Sequence, residues 1–336
     1  MSGLSGAAAG QTQRAGLFLR IRDDEGVCGR GEASPLPGFS PDTLDVCSEQ
    51  LRAVAVEKLE PGSDESAHEW LDRALAESGV TAPAARFALE TALLDWRGRL
   101  TGISIAALLG GKEAVTRRVP LAALVEDFPS AQAAFARGIR AFKIKISPAT
   151  WPAGVRLGQA LRRGHGASVA LRFDANQSLP ASQAAAKLRE LSALEPEFVE
   201  EPVPGDELLR LDGSPVPLAA DESLARPGAW PRLAAVCKVL VLKPTLLGGF
   251  GACLKLAQDA LARGLHVVVT HTFDGPIALA AAAELAVALP GPALACGLER
   301  HPGLEAWPAV EIPQIGRSAV ASANLPGLGL PEFAVS

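Results

Sequence analysis

Five charged side chains, Lys145, Asp174, Glu200, Asp221 and Lys243, follow one another at intervals of 29, 26, 21 and 22 residues. Each sits at the end of a short apolar run. The runs are Phe142-Lys143-Ile144-Lys145-Ile146, Arg172-Phe173-Asp174-Ala175-Asn176, Val199-Glu200-Glu201-Pro202, Ala220-Asp221-Glu222-Ser223 and Val241-Leu242-Lys243-Pro244. Three carboxylates with no histidine or cysteine among them form a hard, all-oxygen donor set. Mg²⁺ is its natural occupant, and Mn²⁺ suits the same ligands. Two lysines flanking such a set could remove a proton α to a carboxylate, with the cation neutralising the charge that develops on the enediolate. A lysine beside a divalent cation and a second ammonium is expected to have a lowered pKa, as a base requires. Singly these signals are weak: Lys-x-Lys is commonly a solvated strand edge, and a strand-end Asp commonly caps the next helix. Together, five charged ends inside apolar strands would be five costly burials without a function.

The elements that must position these residues are legible in the pattern. Strands are predicted at Val119–Val125, Phe142–Ile146, Ser168–Phe173, Phe198–Glu200, Pro217–Ala220, Lys238–Leu242, His266–His271 and Ala293–Leu298. Helical patterns fall between them, at Ser130–Gly138, Trp151–Arg163, Pro180–Leu194, Gly249–Ala262 and Ile277–Leu289. Strand–helix alternation of this length points to a closed parallel α/β barrel, whose strand ends converge on one mouth. Period two then turns Lys143 and Lys145 inward, with Asp174 on the inward face of its own strand. Before Val115 the rhythm differs. A strand at Leu17–Arg22, a turn at Asp23-Asp24-Glu25-Gly26 and a returning strand precede helices from Pro41 to Leu109, an α+β arrangement.

With 336 residues the chain suits one large barrel plus a smaller domain. A net charge of −5, dispersed basic residues and no tyrosine argue against a nucleic-acid partner. No apolar run is long enough to span a bilayer, so no membrane role is expected. Met1 to Gln11 reads as a flexible lead-in without the features of a signal peptide. Five cysteines without a CxxC suggest reduced, mostly buried thiols and a cytoplasmic protein. His68, His165, His266 and His301 read as surface or packing residues, and Trp70, Trp96, Trp151, Trp230 and Trp307 as packing anchors.

The series Lys-x-Lys, Asp-x-Asn, Glu-Glu-Pro, Asp-Glu-Ser and Lys-Pro resembles the enolase superfamily in its muconate-lactonising subgroup, from about Gly16 to Gly329. The resemblance implies a modified TIM barrel, (β/α)₇β, at 116–305, an α+β capping domain at 1–115 and a tail at 306–336. It implies Asp174, Glu200 and Asp221 as Mg²⁺ ligands, Lys145 as general base and Lys243 on the opposite face. A Lys or His base working with Mg²⁺ is the superfamily's known chemistry and comes with the resemblance, not from the spacing. Glu201, Lys143, Glu222 and Ser223 are expected at the substrate or just behind the ligands.

Ser34-Pro35-Leu36-Pro37-Gly38-Phe39 looks like the substrate-covering loop of o-succinylbenzoate synthases, with Ser34, Pro37, Gly38 and Phe39 at the substrate. Arg172 and Asn176 fit that family too. The implied reaction takes the α-proton from 2-succinyl-6-hydroxy-2,4-cyclohexadiene-1-carboxylate and expels hydroxide, a step of menaquinone synthesis. Two departures stand out. The first capping strand is shortened or missing, and His271 stands where relatives more often have small residues, so it is a candidate substrate contact. Sibling alternatives are an N-succinylamino acid racemase, which needs the same succinyl pocket, and a dipeptide epimerase. The epimerases' Asp-x-Asp is replaced here by Gly297-Leu298-Glu299-Arg300. Muconate cycloisomerisation fits the loop less well, and a non-catalytic barrel would be expected to have lost a ligand or lysine.

Overall fold

The computed structural model describes residues 14–60, 65–306 and 311–331. The lead-in Met1 to Gln11 and Trp307 lie outside the described residues. A hairpin of β1 (Leu17–Arg22) and β2 (Cys28–Ala33) forms because Asp23 closes the turn, its carboxylate accepting from the Val27 amide at 2.8 Å. Four helices follow: α1 (Leu44–Arg52), α2 (Ala67–Ser78), α3 (Pro83–Thr101) and α4 (Ile105–Ala114). Ser66 and Glu69 box the start of α2, and Gly79 ends it in the left-handed region. Gly31 lets β2 lie directly on α3, since a Cβ there would meet the Ala88 carbonyl oxygen at 1.9 Å.

The barrel begins with β3 (Arg118–Pro120), β4 (Ala122–Leu124) and α5 (Phe128–Ala136). It continues through β5 (Ala141–Lys145), α6 (Trp151–His165), β6 (Ala170–Asp174), α7 (Ala181–Ser192), β7 (Phe198–Glu200) and β8 (Leu218–Ala220). Then come α8 (Trp230–Leu233), β9 (Val239–Leu242), α9 (Pro244–Leu247), α10 (Phe250–Ala262), β10 (His266–Val269) and α11 (Pro276–Ala288). Strands β4 to β10 pair in chain order, all parallel. Ile144 and Phe173 face the surrounding helices and are fully buried. Among the described residues no helix is long and apolar enough to cross a membrane. The cysteines are free, four of them buried and Cys28 half-buried.

Two strand expectations need correction. The predicted strand Val119–Val125 is two strands, because its halves pair differently: β3 runs antiparallel to β11 (Ala319–Ala321), and β4 joins β5. The predicted eighth strand, Ala293–Leu298, is reduced to two bridges, Leu121 with Cys296 and Thr270 with Gly297. Pro290 and Pro292 precede it and have no N–H to donate, so the ladder starts late. Those bridges still close the barrel between β10 and β4, with Ala122 donating to the Cys296 carbonyl at 2.8 Å and Gly297 to that of Val269 at 3.0 Å.

Buried glutamates join the small domain to the barrel by taking up helix N-terminal amides across the boundary. Glu90 on α3 accepts from Phe250 and Gly251 at the start of α10. Glu284 on α11 accepts from Ala106 at the start of α4 at 2.9 Å, and also holds Gln314 and Ser322 of the tail. Each glutamate replaces water at amides that the helix itself leaves unpaired. Asp95 on α3 takes the Leu328 amide at 2.8 Å, which seats the tail on the small domain.

Burial raises Glu90 to about 8, opposed only in part by Arg86 and the two amides. Its proton is therefore held more tightly in the folded chain than in the unfolded one. The stability from that proton is complete below the ordinary carboxylate range and is lost as pH rises through about 8. In urea titrations the unfolding free energy of the native chain, taken relative to Glu90→Gln, should fall between about pH 5 and about pH 9. A difference independent of pH would count against the protonated glutamate.

Candidate active site

Sheet register builds the site. Lys145 lies opposite Asp174, and Asp174 opposite Glu200, so β5, β6 and β7 present the three side chains in one row at their C-terminal ends. Asp221 follows β8 and Lys243 follows β9, completing the arc around the mouth. The three carboxylates are buried, 1% to 3% exposed, while the ammonium groups reach the open side. Lys143 bridges two of the carboxylates, 2.9 Å from Asp174 Oδ2 and 2.9 Å from Glu200 Oε1. Lys145 Nζ donates to Asp174 Oδ2 at 2.9 Å and to Asn176 Oδ1. Lys243 Nζ donates to Asp221 Oδ2 and lies 4.8 Å from the centre of the Phe39 ring.

The electrostatics follow from crowding. Burial, with Asp174 next, lifts Glu200 to about 7, and burial lifts Asp221 to about 6. Burial would also raise Asp174, but Lys143 and Lys145 overcome it and hold that carboxyl well below the usual range. Lys143 and Lys243 are pushed upward: burial disfavours their charge, but the surrounding carboxylates outweigh it. A divalent cation on those carboxylates would remove that pull.

A layer of side chains behind the row holds it in place. Glu201, fully buried and at φ 40°, accepts from the Asp221 amide at 2.8 Å, the Ser223 amide at 2.9 Å, the Ser223 hydroxyl at 2.8 Å and the Gln177 amide group at 2.9 Å. It thereby ties the ends of β6, β7 and β8 together. Asn176, at φ 40°, spans from Lys145 to Glu222, donating to Glu222 Oε1 at 2.9 Å. Asn tolerates this left-handed conformation better than most residues.

Not every candidate reaches the cavity of about 430 Å³ over the row. Phe39 and Leu36 line it; Pro37 and Gly38 are exposed outside it. Ser34 is buried under the loop, its hydroxyl donating to Glu32. Arg172 borders the cavity, but its guanidinium turns to Glu197 and the Ala295 carbonyl, so it is held by the barrel's far end. Ser223 and Glu222 brace Glu201 and Asn176 as described. His271 lines the cavity with Nδ1 accepting from the Phe273 amide at 2.9 Å, and burial drives it down to about 3, which keeps it neutral. His301 corrects the sequence reading: it lines the cavity too, with Nε2 2.8 Å from the Asp274 carbonyl. Phe273, Glu126 and Asp127 are further lining residues that sequence reasoning missed. Their loop positions carry no periodic signal, although all follow barrel strands.

The residues fit a divalent cation by their chemistry. Asp174, Glu200 and Asp221 are buried carboxylates gathered at one mouth beside Lys143, Lys145 and Lys243, a hard oxygen donor set. Asp221 Oδ1 is buried with no hydrogen-bond partner among the described residues. In the present side-chain positions no three such groups among the described residues converge into a coordination sphere, and the ammonium groups pair with them instead. Because Glu201 orients Asp221, Glu201→Gln should weaken Mg²⁺ binding by roughly 10–100-fold in calorimetry. Unchanged affinity would remove Glu201 from that role.

Comparison with known proteins points the same way. Residues 129–331 match the family described as enolase C-terminal domain-like, and residues 6–110 the mandelate racemase / muconate lactonizing enzyme N-terminal domain. An L-Lys-D/L-Arg epimerase of Methylococcus capsulatus is 29% identical over 82% of this chain and 79% of its own length. An o-succinylbenzoate synthase of Desulfotalea psychrophila is 29% identical over 81% of this chain and 83% of its own length. The muconate lactonizing enzyme structure from Pseudomonas putida superposes with a TM-score of 0.80 at 25% identity, covering 95% of this chain and 92% of that one.

Proposed function

The chain belongs to the mandelate racemase / muconate lactonizing enzyme family, with its enolase C-terminal domain-like barrel, and on that premise we propose that it is an o-succinylbenzoate synthase. The reaction is the dehydration of 2-succinyl-6-hydroxy-2,4-cyclohexadiene-1-carboxylate. When bound, Mg²⁺ (or Mn²⁺) held by Asp174, Glu200 and Asp221 would neutralise the substrate carboxylate. Lys145 takes the α-proton, oriented by Asp174 and Asn176. The proton it gains is then available to the hydroxide leaving from the same face, so that water departs and the ring becomes aromatic. Lys243 stays charged across the ring and balances the enediolate.

The observation that carries this reading is the setting of Lys243, whose side chain is 11% exposed against 25% for Lys145. Lys243 is clamped between Asp221 and the face of Phe39, which comes from the cap loop. A fixed cation suits a one-base dehydration. A racemase or epimerase needs both lysines to exchange protons in turn. Glu299, at the strand-eight position where an epimerase would hold a substrate ammonium, is instead paired with Arg137. The apolar rings of Phe39, Phe198 and Phe273 suit a cyclic substrate.

The test follows the loss of diene absorbance with Mg²⁺, with and without EDTA. Rapid, EDTA-sensitive conversion is expected, and Lys145→Ala should lower kcat by at least ~10²-fold. Lys243→Ala should be comparably impaired. Failure of the native chain to convert the diene, joined with deuterium exchange into N-succinylamino acids or dipeptides, would replace this reading with racemisation or epimerisation.

A further inference from the structure

Two separate segments form the aromatic side of the cavity. One is the cap loop 34–39, which brings Leu36 and Phe39. The other is the loop after β10, which brings His271 and Phe273. They come from different domains and are distant in sequence, yet both must face the same substrate. One buried side chain touches the base of each.

Glu32 is the penultimate residue of β2, two before the cap loop, and is 1% exposed. Its Oε1 accepts from the Gly275 amide at 2.6 Å, and its Oε2 from Ile277 and Ala278 at 3.2 Å each. These are the leading amides of α11, the helix that the second loop runs into. The Ser34 hydroxyl donates to the same carboxylate from the cap-loop side. The approach is close enough to dictate residue type, since a Cβ on Gly275 would lie 2.6 Å from Glu32 Oε1. Gly275 has φ −73°, so it is spared a side chain because of Glu32 and not for its own backbone. Arg14 adds a second tie across the same seam, donating to the Ser34 and Thr272 carbonyls and lying 3.4 Å from Asp274 Oδ1.

We propose that Glu32 is a positioning residue: it holds the cap loop in register with the loop after β10, and so fixes where Phe39 stands over Lys243. It touches neither the lysines nor the carboxylate row. Its loss should therefore misplace the substrate cover while leaving the proton-transfer groups in place. The kinetic part of the test rests on the synthase reading above; the rest needs no substrate.

The probes are chymotrypsin, which cuts after Phe39 but is blocked after Leu36 by Pro37, and amide hydrogen exchange. In the native chain the Phe39 and Ser40 amides should open with the same free energy as those of Gly275, Ile277 and Ala278, as one unit. In Glu32→Gln, cleavage at Phe39–Ser40 should be at least ~10-fold faster. KM should rise ~10-fold and kcat should fall by less than that, because Lys243 keeps Asp221 when Phe39 shifts. Gly275→Ala should reproduce this by steric pressure on the carboxylate, and should add little in a Glu32→Ala background, where the clash is gone. Independent opening of the two loops in the native chain would overturn the proposal even if every variant failed to fold. So would unchanged cleavage in Glu32→Gln, a fall in kcat with KM preserved, or fully additive effects of the two substitutions. Absence of dehydration by the native chain, with cooperative loop opening intact, would reject the synthase reading and leave the positioning role standing.

Discussion

Crowding carboxylates at a buried barrel mouth is unfavourable, and most features of this structure answer that cost. Asp174 and Glu200 stand on adjacent strands in register, with Asp221 on the next strand end, shielded from water. Their mutual repulsion and desolvation would raise all three. Lys143, placed between the first two, is a structural counter-ion as much as a part of the chemistry. Glu201 contributes no charge relief, but four hydrogen bonds to it hold the strand ends that carry these carboxylates. The geometry survives because these groups constrain one another.

The boundary between the two domains meets the same problem differently. Glu32, Glu90 and Glu284 are buried without lysine partners, each set against helix N-terminal amides from another part of the chain. Backbone amides offset the burial of these carboxyls only in part, so all three are pushed upward, where the ammonium groups of the mouth hold Asp174 down. This solution is directional: it locks the orientation of one domain on the other, whereas an apolar contact would allow sliding. Accurate docking matters because the cap supplies Phe39 to the Lys243 side of the cavity.

Relatives of this chain include an epimerase, a synthase and a lactonizing enzyme, so family membership does not by itself choose among these reactions. Discrimination among such reactions has to come from the walls. Here those walls are aromatic and neutral on one side, where Phe273, His271 and His301 pack edge to face and burial keeps both imidazoles uncharged.

Sequence alone determined the chemistry-bearing row. Strand periodicity and one-step spacing place Lys145, Asp174, Glu200, Asp221 and Lys243 at successive strand ends, because parallel strands alternating with helices have no other economical arrangement. It also marked the cap loop by its prolines. Tertiary structure decided which residues of that loop turn inward: Phe39 and Leu36 do, while Pro37 and Gly38 stay outside. It decided that Arg172 points away from the mouth to Glu197, which period two cannot reveal, because a long side chain can bend along the barrel axis after leaving its strand. It brought His301 to the cavity and gave Glu32 its partners some 240 residues away. Local pattern records which face a residue leaves from. Only the packed chain records what it meets, since contacts between distant segments depend on how the two domains dock.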